Sequence, residues 1–437
     1  MQLEATWFVL IGCLLIIMAL ARGVISNLPM TGAMVYLVVG FILGPGVTGL
    51  LDPDIHGKTH VVGIVTEAGL VVSLFAIGMH LRVPLTDHLW RLTLRLGVVA
   101  MLFTIAIMTA VGHYVIGLSA GVALVLAAAL APTDPVLANE LRPREAGDDE
   151  PLRFALSSEG GCNDGAAWPF LLLGLAICGV DNAAQKDLFP FLLSVAWGIA
   201  SGVAIGWLFG TGVVALVTRL RTRFKEALGL EAFFALGLMS ACYGAALLIH
   251  GYGFLAVFAG GVALRRRERA STGARVPAEA LESVEHGARD EAATDPALAH
   301  AYMAESMMSF AVEIEGLVEL GLMLVIGSVV SAHWRELLEW RALVPGLLLL
   351  FVVRPFSAYA SLLGSSLSIH QRMLAGWLGV RGVGTFYYLL FGIGRAPEAM
   401  LDPIAAPVLA TIVGSVFLHG ATATTLLNRY FRTSAAR

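Results

Sequence analysis

The sequence predicts an all-α polytopic membrane protein of about thirteen transmembrane helices, two of them interrupted. Three observations carry that expectation. Of 437 residues, 57% are hydrophobic and only 14% charged, with a mean hydropathy of +0.80, whereas a soluble domain carries about 25% charged residues. Apolar runs long enough to span a bilayer recur along almost the whole chain. Lysine and arginine fall mainly into alternate connections between those runs, the asymmetry that orients a chain in a membrane.

The runs lie near 6–25, 30–51, 60–81, 92–117, 119–140, 152–179, 188–218, 228–250, 252–264, 306–332, 342–363, 372–394 and 401–427. Met1-Gln2-Leu3-Glu4 lacks the basic region of a signal peptide, so the run behind it reads as a first spanning helix. The 252–264 run is short, and reads as tilted or partly interfacial. From Arg265-Arg266-Arg267-Glu268-Arg269 to residue 305 the chain turns polar, and this stretch reads as the one substantial soluble loop, flexible or an interfacial helix. Of the 28 lysines and arginines, one set of alternate connections holds only Lys58, Lys186, Arg335, Arg341 and Arg395, and Arg354 and Arg381 fall inside runs. The rest lie in the opposite set. That places the N-terminus outside and the C-terminus in the cytoplasm, as an odd number of helices requires. The 48 glycines suit close helix packing and broken helices in lipid. Cys13, Cys162, Cys178 and Cys242 all lie in apolar segments without a Cys-x-x-Cys pair, and read as small buried hydrophobes.

Two stretches interrupt this pattern, Ala131-Pro132-Thr133-Asp134-Pro135 and Glu159-Gly160-Gly161-Cys162-Asn163-Asp164. A charge at the centre of a bilayer costs at least about 2.5–3.5 kcal/mol on insertion scales. Acids beside irregular backbone at that depth point to an ion pathway. Asp164 is the first candidate, flanked by Asn163, Gly165, Ala166 and Ala167, which leave room for an ion and water. A carboxyl withdrawn from water holds either a proton or a hard cation, and competition for one site suffices for exchange. The bland alternative is a helix-packing acid paired with a buried base. Asn163 adds an amide oxygen that does not titrate. A site with one acid where two could stand favours one-for-one, electroneutral exchange.

Asp134 stands between two prolines, which break helical hydrogen bonding. It compensates the dipole ends of broken half-helices, ligates the ion, or does both. Thr133 offers a hydroxyl or carbonyl to the ion, or bonds back into the broken helix. Glu159, four residues before Asn163 on one helix face, needs a buried partner. Arg354, alone among apolar neighbours and permanently charged, is the economical choice. That pair would be structural. Arg381, in Gly379-Val380-Arg381-Gly382-Val383-Gly384, sits in a glycine-rich interruption, where it can neutralise C-terminal ends of half-helices as a mirror of Asp134. Glu67, Glu313, Glu315 and Glu319 are weaker candidates, with Glu313 and Glu315 placed near a solvated helix end. His80, His88, His113, His250, His333, His370 and His419 read as interfacial, with no metal-site spacing.

Taken together, these residues resemble monovalent cation:proton antiporters of the NhaP/NHE (sodium/hydrogen exchanger) type. The resemblance rests on Thr133-Asp134-Pro135 in a fifth helix, Glu159-x-x-x-Asn163-Asp164 in a sixth, and Tyr252-Gly253-Phe254-Leu255-Ala256 opening a ninth. Arg354 in an eleventh and Arg381-Gly382 in a twelfth complete it. It implies a fold of inverted repeats, with a six-helix core at about 92–179 and 342–427. A dimerisation scaffold would occupy about 6–81 and 188–332. It also implies a homodimer in the plasma membrane that alternates access. Asp164 and Asn163 would bind cation and proton, Asp134 and Thr133 would belong to the ion's surroundings, and Glu159 would be bonded to Arg354. The monovalent cation would then be held by Asp164 and Asp134. The family often carries a hydroxyl residue directly after the glutamate; here it is Gly160, which leaves sodium, lithium and potassium open.

The expectation is therefore a secondary antiporter exchanging Na+, or K+ or Li+, for H+. It would not be an enzyme, would need no cofactor beyond the transported ions, and would have the bilayer but no nucleic acid as partner. The chain ends soon after its last run, so neither a long regulatory tail nor a nucleotide-binding domain is expected. A channel-like potassium efflux protein is the alternative, and no filter-like repeat speaks for it. An intramembrane aspartyl protease is disfavoured by the lack of the Tyr-Asp and Gly-x-Gly-Asp pairing.

Overall fold

A computed structural model describes residues 8–9, 11–17, 30–53, 59–134, 150–180, 188–224, 230–273, 293–295 and 298–435. Among these the structure is helical, without strands. Residues 8–9 and 11–17 form a first helical stretch. Then follow α1 (Gly32–Leu43), α2 (Thr59–His80), α3 (Trp90–Ile116), α4 (Ala120–Leu130), α5 (Pro151–Ile177), α6 (Leu188–Phe224) and α7 (Glu231–Leu248). The second half contains α8 (Gly253–Thr272), α9 (Ala299–Leu337), α10 (Trp340–Ser361), α11 (Ile369–Trp377), α12 (Val383–Ile393) and α13 (Glu398–Ala435). Each of the thirteen apolar runs thus contains helix.

Seven of the described helices, α2, α3, α6, α7, α9, α10 and α13, are long and apolar enough to cross a membrane, and α1, α4 and α12 are shorter apolar helices. This is a multi-pass membrane protein. The 27-residue α5 is not among the seven. Its centre carries Ser157, Ser158, Glu159, Asn163 and Asp164, all buried, so its polarity is hidden inside protein rather than exposed to lipid.

Helices α3, α4, α5 and α10 to α13 pack on one another, as do α1, α2 and α6 to α9. The two groups meet where α2 and α9 lie against α12, where α2 and α8 lie against α5, and where α1 and α9 lie against α13. Local chemistry sets the elements at this junction. Ser119 caps α4, accepting from the Val122 N–H at 3.5 Å, and the alanine-rich body of α4 is almost wholly buried. The helix stops at Leu130, because Pro132 has no N–H to continue it. Residues 132–134 leave in a non-helical path. Pro151 opens α5, with the Glu150 carboxylate accepting from the Arg153 N–H at 2.8 Å. Ser368 and Gln371 form a reciprocal capping box at the start of α11, with bonds of 3.3 and 2.8 Å. Helix α11 ends at Trp377 and α12 begins at Val383, so the 372–394 run is one interrupted helix. A π-helical turn over Leu349–Val353 leads directly into Arg354, a distortion that recurs at functional sites.

The 265–305 stretch is not a loop from its start. Helix α8 continues to Thr272, and Arg265 and Glu268 are buried, while α9 starts at Ala299 rather than near 306. The cause is mutual charge satisfaction. Arg82, just beyond α2, donates from Nε to Glu268 Oε2 at 3.0 Å and from Nη2 to Oε1 at 3.2 Å, and Arg265 donates to the Met79 carbonyl at 2.6 Å. Paired and hydrogen-bonded charges can be buried where isolated ones cannot. Residues 274–292 lie outside the described part.

Candidate functional site

The two helix breaks, 131–134 and 378–382, are held together by reciprocal contacts. Asp134 donates its N–H to the Val380 carbonyl at 2.9 Å, and its Oδ2 accepts from the Val383 N–H at 3.0 Å. The residue before Val383 is Gly382, which has no side chain to cap α12, so Asp134 supplies the cap from another segment. Arg381 faces the other way. It is fully buried, and donates from Nε to the Leu130 carbonyl, the end of α4, at 2.5 Å. Its Nη1 donates to the Gly379 carbonyl at 2.8 Å, just past the end of α11. An acid therefore sits at a helix N-terminus and a base at two helix C-termini, the favourable sense for helix dipoles. Pro135 lies outside the described residues.

Asp164 and Asn163 lie beside this crossing, on α5. The Asp164 carboxyl rests over the first turn of α12, where a Cβ on Gly384 would meet Oδ1 at 3.0 Å. Glycine leaves that approach open. Asp164 is 6% exposed, and among the described residues its carboxyl makes no hydrogen bond or ion pair. Asn163 donates from Nδ2 to Thr133 Oγ1 at 2.7 Å, which ties α5 to the first break. Its Oδ1 is buried and has no hydrogen-bond partner among the described residues. A buried carboxyl and a neighbouring amide oxygen, both without donors, form an arrangement that a proton or a small cation would satisfy.

Glu159 and Arg354 form a bidentate pair, Nη1 to Oε1 at 2.5 Å and Nη2 to Oε2 at 2.8 Å, with both side chains buried. Arg354 Nη2 also donates to the Ala375 carbonyl at 3.0 Å. The approach depends on Gly379, since a Cβ there would lie 2.4 Å from Arg354 Nε. The pair fastens α5 to α10 and to the end of α11, one turn from Asn163.

The structure thus brings Thr133, Asp134, Asn163, Asp164 and Arg381 to the crossing, and sets the Glu159–Arg354 pair next to it. The weaker acids separate. Glu313 is exposed, whereas Glu315 is buried rather than solvated at a helix end. Glu315 and Glu319 line a small cavity with Gly69, Ser73, Asp134 and Val383, between α2, α9 and the crossing. Glu67 accepts a hydrogen bond from the Tyr243 hydroxyl.

Several contacting residues escaped the sequence reading. The Tyr388 hydroxyl donates to the main-chain oxygen of Asp164. Ser415 Oγ accepts from the Arg381 N–H at 2.7 Å. His80 and His419 are buried rather than interfacial, His80 bonded to the Ala76 carbonyl at 2.7 Å and His419 to that of Trp377 at 2.8 Å. The i, i+4 spacing of Ser415 and His419 inside an apolar run was the available signal.

A probable Na(+)/H(+) antiporter of Schizosaccharomyces pombe is 30% identical over 200 residues, 44% of this chain and 25% of that protein. Na(+)/H(+) antiporter 2 of Zygosaccharomyces rouxii is 29% identical over 185 residues, 41% of this chain and 23% of that one. The chain spans about a quarter of the length of these curated relatives. Two structures of the sodium proton antiporter MjNhaP1 from Methanocaldococcus jannaschii superpose with TM-scores of 0.66 and 0.70 at 19% identity. They cover 97% of this chain and 98% and 97% of theirs, and share its fold. The family described as "sodium/hydrogen exchanger, transmembrane" matches residues 12–429, nearly the whole sequence, and the chain therefore belongs to the sodium/hydrogen exchangers, a family of secondary transporters rather than enzymes.

Proposed function

We propose that the protein exchanges Na+, or K+ or Li+, for H+ by competition at Asp164, with access alternating between the two sides of the membrane. The observation that carries this reading is the buried Asp164 carboxyl, without a hydrogen bond among the described residues, beside the unpartnered Asn163 Oδ1. Either a proton or a hard cation relieves the desolvated carboxylate, and the amide oxygen ligates a cation without titrating. Asp134 is occupied by the Val383 N–H, which favours its compensating the helix end over its titrating. One titrating acid then gives one-for-one, electroneutral exchange.

The same reading assigns α3–α5 and α10–α13 to a moving core and α1, α2 and α6–α9 to a dimerisation scaffold. The cavity between α2, α9 and the crossing lies at the boundary where such a core would slide. Assembly as a homodimer rests on the resemblance to the family. Orientation in the plasma membrane with the N-terminus outside rests on the distribution of lysine and arginine.

The test is a dye-based exchange assay in everted vesicles with sodium, lithium and potassium across roughly pH 6–9, the range that brackets neutrality. The wild type should exchange at least one of the cations, and Asp164→Asn should exchange none while keeping its folded yield. Exchange persisting in Asp164→Asn removes the assignment.

A further inference from the structure

The second helix break is spanned from outside by two residues of α13. Arg381, on the α12 side of the break, donates its N–H to Ser415 Oγ at 2.7 Å. Ser415 Oγ lies 3.0 Å from His419 Nδ1, and His419 Nε2 lies 2.8 Å from the carbonyl of Trp377, the last residue of α11. His419 Nδ1 is also 2.9 Å from the Ser415 carbonyl. The neutral tautomer with its hydrogen on Nε2 makes the chain continuous: Arg381 N–H to Ser415, the Ser415 hydroxyl to Nδ1, and Nε2–H to the Trp377 carbonyl. Both residues are buried, Ser415 fully and His419 at 2% exposure. Trp377 ends α11 and Arg381 lies in the break two residues before α12, and one turn of α13 grips both.

We propose that Ser415 and His419 are positioning residues of the ion site, setting the separation of α11 and α12 and, through it, the place of the first turn of α12 under Asp164. The geometry connects the two. Arg381 immediately precedes Gly382 and Val383, whose N–H meets Asp134, and Gly384 is the residue against which the Asp164 carboxyl rests. Neither residue is assigned a contact with the ion. The imidazole is suited to the task because it donates at one edge and accepts at the other across a fixed ring width, which no aliphatic side chain of similar size does. The proposal rests on the exchange function assigned above.

Two measurements test it, and one is independent of transport. In hydrogen–deuterium exchange of the purified full-length protein, His419→Ala and Ser415→Ala should each speed exchange of the peptide covering 378–385 about fivefold, the ratio that one net hydrogen bond corresponds to. The body of α5 should be unchanged. In vesicles, His419→Ala should raise the cation concentration for half-maximal rate several-fold. His419→Gln, whose amide returns a donor to the Trp377 carbonyl, should recover most of it. The Ser415→Ala/His419→Ala pair should lose no more than His419→Ala alone, because the two act as one chain. Should His419→Ala fail to fold, Ser415→Ala carries both measurements, with faster exchange at 378–385 and a raised half-saturating concentration expected, and no change in either overturning the proposal. Unaltered exchange at 378–385 overturns the proposal, as does a half-saturating concentration unchanged while only folded yield falls. A wild type that exchanges no cation overturns the functional reading instead, and the deuterium result still decides whether the break is held in this way.

Discussion

Asp134 and Arg381 each stabilise the end of a helix that belongs to the other's half of the chain. Asp134 accepts from the Val383 N–H that opens α12, and Arg381 donates to the Leu130 carbonyl that closes α4. The crossing is held by this exchange of caps between two unlike charges. It keeps irregular backbone satisfied in the protein interior, where an orphaned polar group costs about 1–3 kcal/mol.

Asp134→Ala therefore removes the cap of α12 and should lower stability by about 1 kcal/mol, the usual value of an N-cap. Asp134→Asn retains an acceptor for Val383 and should keep the thermal midpoint close to that of the wild type. Its half-saturating cation concentration should also stay close to the wild-type value. A strongly raised concentration would instead show that Asp134 ligates the ion.

For the Glu159–Arg354 pair, Arg354→Ala leaves an uncompensated buried carboxylate, a change that costs about 3–5 kcal/mol. Folded yield by size-exclusion chromatography should collapse. Replacing both partners, as Glu159→Leu with Arg354→Met, removes both charges at similar volume and should recover much of the yield. Normal yield for Arg354→Ala with transport abolished would assign Arg354 a direct role.

At Gly384 an added Cβ would meet the Asp164 carboxyl at 3.0 Å, while at Gly379 it would meet Arg354 Nε at 2.4 Å. The two alanine variants should differ accordingly. Gly379→Ala should destabilise by about 1–3 kcal/mol, as overpacking does, seen as a lowered thermal midpoint. Gly384→Ala should remain folded and bind cation more weakly, read from vesicle titrations.

Much of this site was legible because charges are conspicuous in an apolar chain. Glu159 and Arg354 stood out as buried opposites, and their side chains meet in the structure. The prolines around Asp134 and the glycines around Arg381 marked both breaks. The partners of Asp134 and Arg381 were not legible, because they are main-chain groups 249 and 251 residues away and every residue carries such groups. The burial of Arg265 and Glu268 was hidden for a related reason. Hydropathy scores each charge alone, whereas Glu268 is paired both with Arg265, three residues before it, and with Arg82, 186 residues away. His419 was misplaced because a histidine in an apolar run near a chain end suits an interface as well as a core.

One-for-one exchange at a single acid moves no net charge. An imposed potential across proteoliposomes should leave the rate unaltered, measured by dye quenching with and without a valinomycin-clamped potassium gradient in the sodium mode. A clear dependence on voltage would require a second titrating group in the cycle.

The most direct test of competition at Asp164 is proton release on cation binding, followed with a pH indicator in weakly buffered, purified protein. At a starting pH low enough for Asp164 to be protonated, the account predicts one proton released per chain as the transported cation saturates the wild type, and none from Asp164→Asn. Saturable binding to the wild type without proton release, or equal release from Asp164→Asn, would contradict it.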